Sequence, residues 1–546
     1  MTERTRPQEP TVSLGAHADA VTDAVTRLES DNVVSRILVS DYSVWRTDPT
    51  EITDRLGWLT VIAKMRDEVR GLRRFANEVR DDGIRHVVLL GMGGSSLGPE
   101  VIRRTFGSAP GFPDLIVLDS TLPRAIIDVG NLIDPARTLF LVSSKSGDTI
   151  EPNSLYKHFR GVVEAAGAKG APGDHFAAIT DPGTSLAALA GADGFRRLFE
   201  NPPDIGGRYS VLSFFGLVPA ALIGVDVDRL LDSASAAAAD ANSAMDIQRN
   251  PSAWLGAMIG AMAGKGLDKL TIVTSPSIAS FGLWAEQLLA ESTGKEGTGV
   301  IPIAGEPVLD PDAYGEDRVF VYLRVEGDDN AENDVATERL AAVGHPVVRL
   351  SLADTYGISG EFFRWEFATA VTGAILDIHP FDQPNVQAAK DATNRVLADY
   401  AAKGSLPAAE AGDSLAGLLA EAKPGDYLVI MPYAKQTDGV DTALAQLRRQ
   451  IMKRHRVATT VGYGPRFLHS TGQLHKGGPN TGLFLQLIVT HDPDLDIPGE
   501  RFSFGTLADA QALGDLQALL EAGRRVARVH LGGDAEGGLL HLLAGL

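Results

Sequence analysis

The sequence predicts an α/β fold built on parallel sheets, and three observations carry that prediction. Apolar, β-branched runs recur along the chain with helical patterns between them, one strand-helix-strand unit in roughly thirty residues. Two of these runs end in small-residue loops that lead straight into helix starts: Gly91-Met-Gly-Gly-Ser-Ser-Leu-Gly98 and Ser143-Ser-Lys-Ser-Gly-Asp-Thr149. The same alternation restarts at Lys269, and again beyond a small, polar stretch from Lys403 to Asp413, without visible sequence identity between the units.

Taken in order, Met1 to Pro10 is polar and is expected to be disordered. From there to about Phe75 the pattern is helical, with Leu28, Val33, Ile37 and Leu38 on spaced apolar faces and Trp45, Trp58 and Leu59 as core residues. Strands are expected at His86–Leu90, Leu115–Asp119, Thr138–Val142, His175–Thr180 and Arg197–Glu200. The turn Asp204-Ile-Gly-Gly-Arg-Tyr-Ser210 leads into an apolar run, Phe214 to Val225, and helical linking segments follow at Ala234–Ala244 and Pro251–Ala263. The second unit has strands at Leu270–Thr274, Val319–Arg324 and Val347–Leu352 and helices at Phe281–Ala290 and Phe362–Ile378. Glu326 to Asp334, rich in Asp and Asn, reads as a solvated loop rather than a metal site. The third unit has strands at Tyr427–Met431, Val457–Val461, Phe484–Val489 and Val526–Leu531.

Composition bounds the function. The 546 residues suffice for three or four domains, and the formal charge of −20 disfavours nucleic acid or an anionic membrane as the main partner. There is no cysteine, which removes disulfides, thiolate metal sites and thiol catalysis. The first residues carry no apolar signal-type stretch. The run Phe214 to Val225 is shorter than the roughly 20 residues of a membrane span, and Pro219 interrupts it. A soluble, cytoplasmic protein is the expectation.

The two small-residue loops carry the chemistry. Glycines let the backbone approach a ligand, unpaired N–H groups and the helix dipole face it, and Ser and Thr hydroxyls add donors. Two such loops from neighbouring strands suggest a monophosphate pocket at the C-terminal edge of a sheet. The competing reading is a dinucleotide site: Gly91 and Gly93 fit its first two glycines and Asp119 could bind a ribose, but Ser96 occupies the third glycine's place. That fold does not need the second loop, and the terminal Gly-Lys-Ser/Thr of the ATP-type phosphate loop is absent from both.

With both loops, Gly-Gly-Arg-Tyr-Ser, Ala-Glu-Ser-Thr-Gly-Lys and Phe-Asp-Gln-Pro-Asn-Val-Gln-Ala-Ala-Lys in one order, the chain resembles the glucose-6-phosphate isomerase family. More narrowly it resembles the isomerase half of bifunctional transaldolase/glucose-6-phosphate isomerases, with no stretch like the transaldolase half. The resemblance implies two sugar-isomerase domains of αβα type, here 76–265 with the linking helices and 266–402. A tail and helical segment, 1–75, precedes them and an α/β unit, 403–546, follows. It also implies a homodimer, a sugar-phosphate substrate, and neither metal nor cofactor.

An aldose–ketose interchange moves a proton between C1 and C2 of an opened sugar, which one carboxylate can do through an enediol. Glu291, read as following the helix Phe281–Ala290, resembles the family base, and Gln287, one turn earlier on the same face, resembles a substrate-binding glutamine. Arg208, after Gly206 and Gly207, is placed to stabilise the enediolate. Lys390 matches the lysine that closes the family's second signature and assists ring opening; Asn385 and Gln387 stand where the usual pattern has Gly and Glu. The phosphate falls to Ser95, Ser144, Ser146 and Thr149, with Gly94, Lys145 and Gly207 lining the cradle. The family's ring-opening histidine motif is missing before Lys390. His345 and His379 lie in that interval in unlike surroundings, whereas Gln-Leu-His-Lys-Gly in the third unit makes His475 the candidate and His469 the second choice. Alternatives are a dual phosphoglucose/phosphomannose isomerase and a non-catalytic sugar-phosphate-binding regulator; a base at Glu291 speaks against the latter.

Overall fold

A computed structural model describes residues 10–167, 170–243, 246–409, 411–412 and 414–546. The expected polar tail over residues 1–9, the end of the Ala234–Ala244 helix and parts of the Lys403–Asp413 stretch lie outside the described residues.

Three sheets form the framework. An N-terminal strand β1 (Thr11–Ser13) precedes the helical segment, whose longest helix is Val61–Asp81. The first sheet contains β2 (His86–Gly91), β3 (Asp114–Leu118), β4 (Thr138–Ser143), β5 (Phe176–Thr180) and β6 (Arg197–Glu200) in the order β3-β2-β4-β5-β6. All its pairings are parallel. The second contains β7 (Lys269–Thr274), β8 (Ile301–Ala304), β9 (Arg318–Val325) and β10 (Val347–Leu352) in the order β1-β10-β9-β7-β8. It is parallel except at β1, which pairs antiparallel to β10. The third contains β11 (Tyr427–Tyr433), β12 (Ala458–Val461), β13 (Gly482–Ile488) and β14 (Arg525–His530), all parallel, in the order β12-β11-β13-β14.

The strands are continuously apolar because both faces of each sheet are covered. On β2, Val87 and Leu89 face a core shared with the N-terminal helices, with Trp45 and Trp58, and with the second unit. Val88 and Leu90 face a second core that includes Val396 and Leu397 and, from the helix Phe504–Glu521, Leu507 and Leu513. The third unit is therefore fastened directly onto the first sheet. It also meets the second, since Ile301 and Ile303 of β8 share a core with Tyr427 and Val429 of β11.

The structure corrects three readings. The helix after β7 runs Phe281–Thr293, so Glu291 lies within its last turn rather than beyond its end. The Asp- and Asn-rich stretch from Glu326 becomes the helix Ala331–Ala342 before it ends, and Asn330 is buried, accepting from Ser275 Oγ at 2.5 Å and Tyr322 Oη at 3.0 Å. The strands β1 and β8 were not expected. The apolar run from Phe214 forms the buried helix Phe214–Leu222, and among the described residues no helix is long and apolar enough to cross a membrane.

Candidate active site

The first loop leaves β2 through Gly93, whose φ of 55° favours glycine. Two neighbours crowd it. A Cβ on Gly93 would meet the carbonyl oxygen of His469 at 2.5 Å, and one on Gly94 would meet that of Gly207 at 2.0 Å. These glycines bring the Gly207-Arg208 turn and the third unit's His469 against the first sheet. Ser95 is buried, and its carbonyl accepts from Ser143 Oγ at 3.2 Å.

The second loop ends at the helix Ile150–Ala165. Ser144 Oγ and Thr149 Oγ1 lie 3.1 Å apart, and Ser144 Oγ accepts from Gly147 N at 3.2 Å. Ser146 and Thr149 line a cavity of about 180 Å³ together with Glu151, Lys390, His469 and Gln511. Lys145 turns away from it: its ammonium pairs with Asp181 and donates to the Pro203 carbonyl at 3.2 Å. That engagement runs against a place for Lys145 in the cradle.

Glu291 is buried and does not line that cavity; its Oε2 is 3.1 Å from Gln287 Nε2 and 3.9 Å from Arg208 Nη1. Gln287 Nε2 also donates to the His469 carbonyl at 2.8 Å, so one amide joins the carboxylate to the histidine's backbone. Arg208 is held on every side. It donates from Nε to Ser292 Oγ at 2.8 Å, from Nη1 to Gln383 Oε1 at 2.6 Å, and from Nη2 to the Pro380 and Asp382 carbonyls at 2.7 and 3.0 Å. Beneath it, Lys295 donates to Asp382 Oδ1 at 2.5 Å; burial first, then the nearby Arg208 charge, lower its pKa to about 8.

His469 ends the 3-10 helix Arg466–His469, and its Nε2 lies 2.8 Å from Glu151 Oε1. The same oxygen accepts from Gln511 Nε2 at 2.6 Å. Burial alone would raise the Glu151 carboxyl, but the imidazole's charge and hydrogen bond, with the more distant Lys390, hold it below the ordinary value. A carboxylate acceptor at Nε2 calls for a proton on that nitrogen, and in the neutral ring Nδ1 is then the acceptor.

His475 is not there. It sits in the short helix Gly472–Gly477, 2% exposed, with its ring 5.6 Å from that of Phe467 and 5.2 Å from that of Phe484. Burial pushes its pKa well below the usual histidine value, and its Nδ1 has no hydrogen-bond partner among the described residues. His469, six positions earlier in the same motif, is the histidine that lines the cavity with Lys390, and His475 does not line it. His379 and His345 are engaged elsewhere: His379 receives the Phe381 and Asp382 N–H groups on Nδ1, and His345 packs on Phe320 and Tyr314.

Asn385, which departs from the family's glycine, has a local explanation. Its N–H donates to Gln473 Oε1 at 2.8 Å and its Oδ1 accepts from Gln473 Nε2 at 2.7 Å. The start of the Lys390 helix, Val386–Lys403, is thereby docked on the Gln-Leu-His-Lys-Gly segment. Gln387 instead bonds Asp391 on the surface. Glu151, Gln511 and the Asp119–Arg466 ion pair were not singled out as site groups from the sequence. Among the described residues no group of three or more His, Asp or Glu side chains is arranged to hold a metal ion.

The chain matches the Phosphoglucose isomerase family over residues 55–299. It is 31% identical over 384 residues to a glucose-6-phosphate isomerase from Symbiobacterium thermophilum, covering 61% of this chain and 85% of that protein. The chain belongs to the glucose-6-phosphate isomerase family. Another family member, from Rubrobacter xylanophilus, is 29% identical over 61% of this chain and 87% of its own length. In fold, the chain is similar to a hypothetical protein from Thermus thermophilus, with a TM-score of 0.63 at 24% identity, covering 71% of this chain and all of that one. It is likewise similar to a glucose-6-phosphate isomerase structure from Chlamydia trachomatis, with a TM-score of 0.59 at 18% identity, covering 70% of this chain and 86% of that one. The family match ends at residue 299, so it contains both small-residue loops, Arg208, Gln287 and Glu291 but neither Lys390 nor His469.

Proposed function

We propose that Glu291 is the base of an enediol isomerisation in this chain, an aldose–ketose isomerase that interconverts glucose 6-phosphate and fructose 6-phosphate. The phosphate is bound by Ser144, Ser146, Thr149 and Ser95 at the helix start Ile150. The sugar then reaches towards Glu291, which moves the proton between C1 and C2. Arg208, fixed by its carbonyl partners, stabilises the developing enediolate. His469, oriented by Glu151, and Lys390 handle the proton on the ring oxygen during opening.

The observation that carries this reading is the bifurcated Gln287 amide, which ties the Glu291 carboxylate to the His469 backbone in one hydrogen-bonded unit. The amide fixes the Glu291 carboxylate relative to the segment whose imidazole Glu151 orients, which supports a base and a ring-opening group acting on one sugar. All the groups come from a single chain. The homodimer expected from the family and the cytoplasmic location expected from the sequence are part of the proposal. The test is conversion of fructose 6-phosphate by the purified protein, with Glu291→Gln as control; a wild-type chain without turnover would sink the reading.

A further inference from the structure

A second cavity, of about 300 Å³, lies where the three units meet. Its walls come from the helix Leu97–Phe106, the loop after β7 with the helix Phe281–Thr293, β12, and the 3-10 helix Arg466–His469. It shares none of its lining with the Lys390–His469 cavity, and its volume reaches the range of small-molecule sites.

Its chemistry is rich in donors. Arg104, Arg448 and Arg466 line it with Ser277, Ser280 and Thr471; Arg448 already donates to Thr459, Ala304 and Gly305 and Arg466 to Asp119 and Gln436, so among the described residues Arg104 is the guanidinium with both terminal nitrogens open. Arg104 and Arg103 share one carboxylate, Glu100, and the terminal nitrogens of Arg104 donate to nothing among the described residues. Glu286 is 8% exposed and has no ion-pair partner within 4 Å among the described residues. Its Oε1 accepts from Ala304 N at 3.3 Å, whereas Oε2 has no partner among the described residues. Burial raises its pKa against the pull of Arg448, which favours the protonated carboxyl, itself a donor. Asp441, the other acid on the wall, is occupied by Tyr463 Oη at 2.6 Å and Gln436 Nε2 at 2.9 Å.

The cavity is also wired to the site. Arg466 lines it and forms a two-point pair with Asp119, at 2.7 and 2.8 Å, and Asp119 accepts from Ser96 Oγ in the first loop at 3.2 Å. Three residues on, the same 3-10 helix ends in His469.

We propose that this cavity is a second binding site for a small hydroxylated anion, of phosphate or carboxylate type, whose occupancy changes the isomerisation rate through Arg466 and the His469 segment. The rate arm rests on the isomerase reading; the binding arm does not.

The experiment is calorimetric titration of the whole chain with 3-phosphoglycerate and with citrate, in the presence of saturating fructose 6-phosphate. One equivalent is expected to bind, at least about tenfold more weakly to Arg104→Ala, which removes a donor, and to Ala279→Trp, which fills the mouth from an exposed wall position. Both variants are expected to keep ligand-free kcat and KM within about twofold, and the bound anion to change the wild-type kcat at least about threefold. Binding of citrate alone assigns a carboxylate and of phosphoglycerate alone a phosphate; either supports the site. No binding of either anion, or binding equally tight in both variants, overturns it. Binding without a rate change overturns the coupling. Wild-type protein inactive before any anion is added would instead strike the isomerase reading and leave the binding result standing.

Discussion

Replacing Glu291 by Gln tests the base directly, and the structure sets the size of the effect. The residue is 8% exposed and sits in the last turn of the helix Phe281–Thr293, so an isosteric amide preserves the packing. The amide oxygen still accepts from Gln287 Nε2, now 3.1 Å from Glu291 Oε2. Arg208 loses one ion-pair partner at 3.9 Å but keeps its bonds to Ser292, Gln383, Pro380 and Asp382, so it stays in place. The pair is long but buried, so its removal is expected to cost up to about 3–5 kcal/mol of stability, and a thermal melt of the variant checks that it stays folded. What disappears is a group able to take the C2 proton. General-base catalysis contributes about 10²- to 10⁴-fold, so kcat is expected to fall by that factor, equivalent to about 3–5 kcal/mol of barrier. Fructose 6-phosphate binding, read by calorimetry, is expected to stay within about threefold, because the phosphate contacts are untouched. A kcat within about tenfold of wild type, in a folded variant that still binds, would refute the assignment.

Other substitutions separate the remaining roles. His469→Ala is expected to lower kcat on the cyclic sugar phosphate by about 10²-fold, whereas His475→Ala is expected to lower Tm while leaving kcat within about threefold. The reverse pattern in steady-state kinetics and thermal melts would return the ring-opening role to His475. Ser144→Ala combined with Thr149→Ala is expected to raise KM at least about tenfold, since a hydrogen bond to a charged group is worth about 1.5–3 kcal/mol. The two hydroxyls bond each other, so the single variants should not add, and an unchanged KM would place the phosphate elsewhere. Glu286 has its folded pKa raised from 4.5 to about 8, so the folded state binds the extra proton in that interval. Its contribution to stability is present below the lower value and lost as pH rises through the upper one. The Tm of wild type relative to Glu286→Gln should therefore fall between about pH 5 and about pH 8, and a flat difference would contradict the buried, unpaired carboxyl.

Most of the sheet framework was legible because parallel strands buried on both faces read as unbroken apolar runs, as at His86–Gly91 and Thr138–Ser143. β8 escaped because it is four residues long and contains Pro302, and β1 because it is a three-residue edge pairing whose partner lies more than 330 positions away. The helix bearing Glu291 was read as ending at Ala290, whereas it runs on to Thr293, whose hydroxyl bonds back to the Leu289 carbonyl at 2.7 Å. Glu151 was hidden for a different reason. An acid in the first turn of a helix is accounted for by the dipole alone. Only the arrival of His469 and Gln511 from another unit makes it a buried acceptor. The choice between His469 and His475 was likewise tertiary, since both lie in one motif and a short helix turns the second into an aromatic core.

The first glycine-rich loop does more than its resemblance implies. A phosphate cradle needs glycine so that a ligand can approach the backbone, but the nearest obstacles to a side chain at Gly93 and Gly94 are protein: the His469 carbonyl oxygen at 2.5 Å and the Gly207 carbonyl oxygen at 2.0 Å. Neither distance leaves room for a methyl group, and both obstacles are backbone, which cannot swing aside. The loop is thus the joint at which the Arg208 turn, the first sheet and the third unit converge. Ser96 extends the joint by bonding Asp119, and Asp119 holds Arg466 at the head of the segment that ends in His469. On the proposed reading, the His469 imidazole is positioned by the same backbone that would shape the phosphate pocket, so displacement of the third unit is expected to disturb ring opening and phosphate binding together. Gly94→Ala should accordingly impair kcat and KM at once, whereas a loop that only cradled phosphate would lose KM alone.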